Sequence, residues 1–138
     1  ALAYNSIKNS TTDIISCYSN TDGNYKIIKD ILKKKNRPDG IIASVEKLTT
    51  PIYLACKDLK LSIPDKIKVI SFTNLQAALI LSPTLTTVTQ PAFEMGKSAA
   101  TILFKALEKS SFNLSKENLI IPSTLFTRDS TLQKRLKR

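Results

Sequence analysis

The residues of this sequence that could carry out chemistry favour binding over catalysis. The sequence has no histidine, so neither a Ser-His nor a Cys-His nucleophile pair can form. Only two cysteines are present, which disfavours a structural zinc site, and the three glycines are too dispersed for a phosphate-binding loop. No catalytic carboxylate pair is evident among Asp13, Asp22, Glu46, Asp58 and Asp65. We therefore predict no catalytic residue, no metal and no cofactor, and we do not expect an enzyme.

The candidate binding residues lie in three polar loops, each directly after a predicted strand. The loops are Ser19-Asn20-Thr21, Ser44-Val45-Glu46 and Thr73-Asn74. In a parallel sheet these loops would share one rim, and ligands of such sheets bind at the carboxyl ends of the strands. Purely structural roles stay open for two of the loops. Glu46 suits the start of a helix through the helix dipole, and Thr73-Asn74 suits a turn.

Strands that alternate with helices must position these loops. The predicted strands cover residues 13–18, 41–45, 66–72, 119–122 and 124–128. The predicted helices cover residues 23–35, 46–60 and 91–109, with a short helical or extended piece at 75–81. This order predicts βαβ units and a parallel sheet. Residues 41–45 are apolar without alternation, which predicts a strand covered on both faces, and the helix at 91–109 is apolar around most of its circumference.

The whole chain is built around the stretch Pro83 to Pro91, which reads as a connector. Its β-branched centre has strand character. Pro83 forbids a helix just before it, and Pro91 fits the first turn of the next helix. We predict that this stretch links two halves of a larger structure.

The totals describe one globular domain of 138 residues, with 42% hydrophobic and 23% charged residues. No apolar run approaches the ~20 residues that span a bilayer. The first residue is not methionine and no signal peptide is visible, so we expect a fragment of a longer protein. Cys17 and Cys56 are read as buried reduced thiols, with a disulfide as the alternative.

The net charge of +10 raises the possibility of nucleic-acid binding. We favour a solvated surface instead. Part of the charge lies in a basic tail at 132–138, and Lys33-Lys34-Lys35 end a helix, where cations suit the dipole. No basic helix–turn–helix is apparent.

Six motifs, in order and at close to family spacing, resemble the C-terminal half of a lactose-repressor/galactose-repressor (LacI/GalR) family transcriptional regulator. They occupy residues 37–43, 61–65, 69–72, 83–91, 94–96 and 128–131. The resemblance covers essentially the whole chain. It implies an α/β fold, namely a Rossmann-like, parallel-sheet subdomain of the periplasmic-binding-protein-like type I fold.

The resemblance also implies a domain plan and partners. Residues 1–82 would form the C-terminal subdomain, 83–118 a hinge crossover and a helix that packs on an N-terminal subdomain, and 119–131 the return strands. The DNA-binding headpiece would lie upstream and contact operator DNA, and the regulator would be a cytoplasmic homodimer without membrane contact. The implied hinge residues are Thr86, Thr87, Thr89 and Gln90. The implied dimer contacts are Thr49, Ile52, Tyr53, Ile80 and Leu81, with a role in the core alone as the alternative.

A small effector, a sugar or sugar phosphate, would bind between the subdomains. The implied effector-binding residues in this half are Ser19, Asn20, Val45, Glu46, Thr73 and Asn74. The sequence departs from the family at three of these places. Val45-Glu46 replaces the common Asn-Asp, Thr73 replaces the Asp that binds sugar hydroxyls, and Ser19-Asn20 replaces an aromatic residue. These departures favour a different effector, or one held mainly by the other half. The alternative function is a solute-binding protein or sensor of the same fold, which an upstream signal peptide would support.

Overall fold

The computed structural model describes residues 14–17, 20–108, 113 and 118–132. Its helices are α1 (Thr21–Leu32), α2 (Thr49–Asp58) and α3 (Ala92–Glu108). Its strands are β1 (Gly40–Ala43), β2 (Lys68–Phe72), β3 (Thr86–Thr89) and β4 (Thr124–Phe126). Short 3₁₀ turns occupy Glu46–Leu48 and Gln76–Leu79. The three predicted helices are thus confirmed, with shorter bounds.

The strands form one sheet in the order β1-β2-β3-β4. β1 pairs with β2 and β2 with β3, both in parallel, so that Gly40 lies opposite Lys68 and Ile70 opposite Thr86. β4 pairs antiparallel with β3. The predicted α/β fold with a mostly parallel sheet is confirmed, and it places the carboxyl ends of β1, β2 and β3 along one edge.

Two predicted strands are not found among the described residues. Residues 14–17, the described part of the predicted strand 13–18, carry no strand, and Ile15 and Cys17 line a cavity of about 600 Å³ together with Ile41 of β1. Residues 119–122 also form no strand. β3 ends at Thr89, whose partner is Thr124, so residues 119–122 lie beyond the end of that pairing.

α1 and α2 contact each other, and their buried side chains share one core with Ala43 of β1 and Val69 of β2. The core between them and the sheet includes Ile28, Leu32, Ile52, Ile67, Val69 and Leu85. On the opposite face Ile42 is 70% exposed, so the prediction that this strand is covered on both faces is wrong within the described residues. The apolar run of β1 reflects one packed face and one open face.

The long helix α3 has no buried residue in the described part of the chain. Its exposed apolar side chains include Phe93, Met95, Leu103, Phe104 and Leu107. The helix predicted to be apolar around most of its circumference therefore leaves much of that surface exposed in the described part of the chain. Among the described residues, no helix combines the length and the apolar character that crossing a membrane requires.

Residues 128–131, called here the C-terminal clamp, fasten β3 to β2. The Ser130 hydroxyl is fully buried, accepts from the Thr86 N–H at 2.8 Å and donates to the Val69 carbonyl at 2.6 Å. The Arg128 guanidinium donates to the Leu85 carbonyl at 2.7 Å and to the Thr87 hydroxyl at 2.9 Å. The clamp thereby satisfies backbone groups where the regular pairing of β2 and β3 ends.

Replacement of Ser130 by alanine is expected to lower the free energy of unfolding by about 1–3 kcal/mol, because a buried N–H and a buried carbonyl both lose their partner. Urea unfolding followed by circular dichroism measures the change. Ser123, which is exposed, provides the control, and Ser123→Ala should change the free energy by less than ~0.5 kcal/mol. Equal small losses in both variants would contradict the role of the clamp.

The ends of α1 and α2 are joined by a polar cluster. The Lys29 ammonium lies 2.8 Å from a carboxylate oxygen of Asp58, and the Tyr25 hydroxyl donates to the same oxygen. The hydrogen bonds from Lys29 and then Tyr25 lower the pKa of the Asp58 carboxyl below its ordinary 3.8. The hydrogen bonds to Asp58 and then Tyr25 raise the pKa of Lys29 above its ordinary 10.5.

This lowered pKa predicts an acid-dependent loss of stability. Because the unfolded chain binds the proton more readily, the contribution of Asp58 is present above about pH 4 and is lost as the pH falls through the folded pKa. Asp58→Asn should therefore lose less free energy of unfolding than the unmodified chain between about pH 5 and 3. Urea unfolding at stepped pH measures this, with Asp65→Asn as the control. Identical acid profiles for all three proteins would contradict the prediction.

Candidate functional site

The carboxyl edge of the sheet brings two predicted site residues into direct contact. Glu46 begins the turn after β1, and Thr73 is the first residue after β2. The Thr73 hydroxyl donates to Oε2 of Glu46 at 2.8 Å and accepts from the Leu75 N–H at 2.9 Å. Because that N–H occupies the acceptor side of the hydroxyl, the hydroxyl proton is directed at Glu46. The carboxylate of an exposed glutamate is thus held in one place by a threonine that is only 6% exposed.

Among the described residues, Thr73 binds Oε2 of Glu46, and no donor to its second oxygen is found. The ion pairs within the described residues join Lys29 to Asp58 and Lys33 to Asp30, so neither involves Glu46. A carboxylate oxygen accepts hydrogen bonds but cannot donate them. This arrangement can bind hydroxyl or ammonium groups of a ligand and repels anions.

The Asn74 side chain instead contacts Gln90, the residue that directly follows β3. Its amide nitrogen donates to the Gln90 carbonyl at 2.9 Å, and its amide oxygen accepts from the Gln90 N–H at 3.0 Å. These two bonds form an amide bridge, which fixes the loop after β2 to the end of the connector. Sequence reasoning predicted both residues but not their contact, since they are 16 positions apart. We therefore assign Asn74 a positioning role.

The remaining predicted effector-binding residues lie in other surroundings. Asn20 caps α1, because its side-chain oxygen accepts from the Gly23 N–H at 3.0 Å. Val45 lines a shallow depression of about 400 Å³ together with Ser16 and Ser44. Ser19 lies outside the described residues.

The predicted hinge residues all lie along β3 or directly after it. Thr86 and Thr87 are buried and bound to the C-terminal clamp. The Thr89 hydroxyl donates to the Thr124 carbonyl at 3.3 Å across the β3–β4 pair. The sequence contains residues 128–131 as a motif, but it gave no signal that their side chains would hold this strand.

The predicted dimer contacts divide into buried and exposed residues. Ile52 is 1% exposed and Thr49 is also buried, so both face the core of this chain, which favours the core-only alternative for these two residues. Tyr53 is half-buried, its hydroxyl donates to the Pro83 carbonyl at 2.9 Å, and burial raises its pKa to about 12. Ile80 is 84% exposed and Leu81 is partly buried.

Comparison with known proteins settles the family. A family model described as the periplasmic binding protein-like domain matches residues 5–131. This chain belongs to the periplasmic binding protein-like family. The fold class and the family resemblance predicted from sequence are confirmed.

The relatives are named as transcriptional regulators. The regulator RegA of Clostridium saccharobutylicum is 29% identical over 108 residues, which cover 78% of this chain and 32% of RegA. The ribose operon repressor of Halalkalibacterium halodurans is 27% identical over 118 residues, or 86% of this chain and 35% of the repressor. This member of the family thus spans about a third of the length of these relatives.

Solved structures agree on the fold. A LacI family regulator from Enterococcus faecalis, with bound ribose, superposes with a TM-score of 0.70 at 27% identity and covers 85% of this chain and 42% of that chain. The regulator CcpA of Lactococcus lactis gives a TM-score of 0.77 at 20% identity, over 95% of this chain and 47% of CcpA. At that identity CcpA supports the fold alone.

The amide bridge should protect the Gln90 N–H of the connector from hydrogen exchange with solvent. In Asn74→Ala, the Gln90 N–H should exchange with solvent about 2- to 10-fold faster, because a hydrogen bond worth about 0.5–1.5 kcal/mol is lost. Amide hydrogen exchange followed by NMR measures the rate. The control is Gln76→Ala, an exposed position on the neighbouring turn, which should leave that rate unchanged. Unchanged exchange in Asn74→Ala would contradict the bridge.

Proposed function

We propose that this chain is the C-terminal part of the effector-binding core of a ligand-responsive transcriptional regulator of the LacI/GalR type. The observation that carries the proposal is the carboxylate of Glu46, fixed by Thr73 at the carboxyl edge of a parallel sheet. Ligands bind at that edge in sheets of this kind. The names of the relatives support regulation of transcription as the output.

The effector proposed is a neutral, polyhydroxylated molecule such as a sugar. In the family pattern an aspartate directly after the strand that corresponds to β2 binds sugar hydroxyls, and here Thr73 holds that place. Its hydroxyl binds Glu46, which keeps a carboxylate where the family commonly has the Asp of Asn-Asp, so one acidic group stays at this edge. Glu46 takes part in no ion pair among the described residues, so its charge would repel a phosphate group. That repulsion favours a sugar over a sugar phosphate at this half of the site.

The proposed domain plan keeps residues 1–82 as the C-terminal subdomain, 83–118 as hinge crossover and helix, and 119–131 as the return segment. The exposed apolar side chains of α3 support packing on an N-terminal subdomain. Operator DNA would be bound by an upstream headpiece, and the regulator would act in the cytoplasm. In a homodimer, the exposed Ile80 and half-buried Tyr53 would contribute, without Ile52 and Thr49.

The test uses the longer protein that contains this chain. Isothermal titration with D-ribose and a panel of other neutral pentoses and hexoses should identify a binding sugar. Glu46→Gln should weaken that sugar about 10- to 100-fold, because a hydrogen bond to a charged group contributes about 1.5–3 kcal/mol. D-ribose 5-phosphate should bind no more tightly than D-ribose.

The matched control is Asp65→Asn, which removes a carboxylate between α2 and β2, at the opposite edge of the sheet, and should leave sugar affinity unchanged. Failure of the whole panel to bind would contradict the proposed effector class. A sugar that binds Glu46→Gln as tightly as the unmodified protein would contradict the role of Glu46 alone.

A further inference from the structure

The fold gathers separate lysines at the amino edge of the sheet, opposite the candidate effector site. This lysine edge consists of Lys33, Lys34, Lys35, Lys60, Lys66 and Lys68. The first three follow the last turn of α1, Lys60 follows α2, and the last two lie at the start of β2. In sequence Lys60 comes 25 positions after Lys35, so the lysines after α1 read as a group separate from those around β2.

The contacts of the backbone place these groups together. The segment after α1 leads into β1, and the segment after α2 leads into β2, so both helices end at the edge where the strands begin. The Lys68 N–H donates to the Asp39 carbonyl at 2.8 Å, which joins the two segments. The contact of Lys29 with Asp58 at 2.8 Å joins the ends of the helices.

The lysine edge carries a surplus of positive charge. All six lysines are exposed, and Arg37, which is half-buried, lies beside them. The carboxylates of the same edge are fewer, namely Asp30, Asp39, Asp58 and Asp65. Asp58 is paired with Lys29 at 2.8 Å, outside the set of six lysines. Of the six, Lys33 pairs with Asp30 at 3.7 Å, and the other five have no ion pair within the described residues. At the opposite edge, in the part of the chain that the structure describes, the balance reverses, since Asp22, Glu46 and Glu94 accompany a single lysine, Lys47.

We propose that the lysine edge binds the phosphate backbone of duplex nucleic acid without reading its sequence. Neighbouring strands lie about 4.8 Å apart and a packed layer lies about 10 Å from its sheet, in the perpendicular direction, so the edge spans on the order of 10 Å. A duplex presents one negative charge per about 1.7 Å of its axis, which matches several lysines at once.

The chemistry of the edge favours this partner over a protein. Segments 33–39 and 59–68 contain no aromatic side chain that could stack on an unpaired base. Lysine acts as a point charge and lacks the bidentate geometry that reads guanine. Lysine is also depleted at protein–protein interfaces, whose centres are apolar.

The test measures binding of the 138-residue chain to a fluorescein-labelled 20-base-pair DNA duplex of arbitrary sequence, by fluorescence anisotropy between about 50 and 200 mM KCl. The edge variant is the triple Lys34→Gln, Lys66→Gln and Lys68→Gln. It should bind at least about tenfold more weakly at low salt. Its plot of log affinity against log salt should lose about 0.9 of slope for each lost phosphate contact, or between 2 and 3 in total, roughly.

The control is the triple Lys26→Gln, Lys47→Gln and Lys97→Gln, which removes the same charge from exposed positions away from the edge. It should bind within about twofold of the unmodified chain. Both triples keep the basic residues at 133–138, and thermal unfolding should show that both keep the fold. Equal weakening by the two triples would overturn the proposal, because net charge alone would then account for binding. Full affinity in the edge variant, or poly-L-glutamate competing as well as DNA at equal charge, would also overturn it.

Discussion

The buried hydroxyl of Ser130 is the contact on which the arrangement of the site depends. Regular pairing between β2 and β3 covers only the three positions from Ile70 to Phe72. Before those positions the strands separate, and Ser130 bonds both the Val69 carbonyl and the Thr86 N–H. The Thr84 carbonyl and the Val69 N–H also bond the backbone of Ser130, so the clamp acts as a short extra partner between two strands. A late segment of the chain thereby fixes the position of β3.

The position of β3 is transmitted to the loop that carries the candidate site. β3 ends at Thr89, and the next residue, Gln90, forms the amide bridge with Asn74. Asn74 is adjacent in sequence to Thr73, whose hydroxyl orients Glu46. Two neighbouring residues therefore serve different purposes: one orients a carboxylate for a ligand, and the other holds the connector. Because Thr73 and Asn74 are consecutive residues, a single peptide unit links the position of Glu46 to the position of the connector at Gln90.

Sequence reasoning recovered the features that local patterns determine. Helical spacing of apolar residues located α1, α2 and α3, and the alternation of helices with apolar runs predicted the parallel sheet. In a parallel sheet the loops after the strands share one edge, and this rule correctly predicted that Glu46 and Thr73 lie close together. The hydrogen bonds of Ser130, Arg128 and Asn74 escaped prediction, because each joins residues far apart in the chain through polar side chains that carry no periodicity. For Ile52 the sequence left both a core role and a dimer contact open, since α2 is apolar on more than one side.

The exposed apolar side chains of α3 affect the stability of the helix itself. Most helices in proteins are stabilised by packing of an apolar face, and this helix of 17 residues has no buried side chain in the described part of the chain. Any molecule that covers Phe93, Phe104 and Leu107 in the folded state, and not in the unfolded state, raises the melting temperature once its concentration exceeds its dissociation constant. The melting temperature of the chain therefore reports how much of the apolar surface of α3 is covered by a partner.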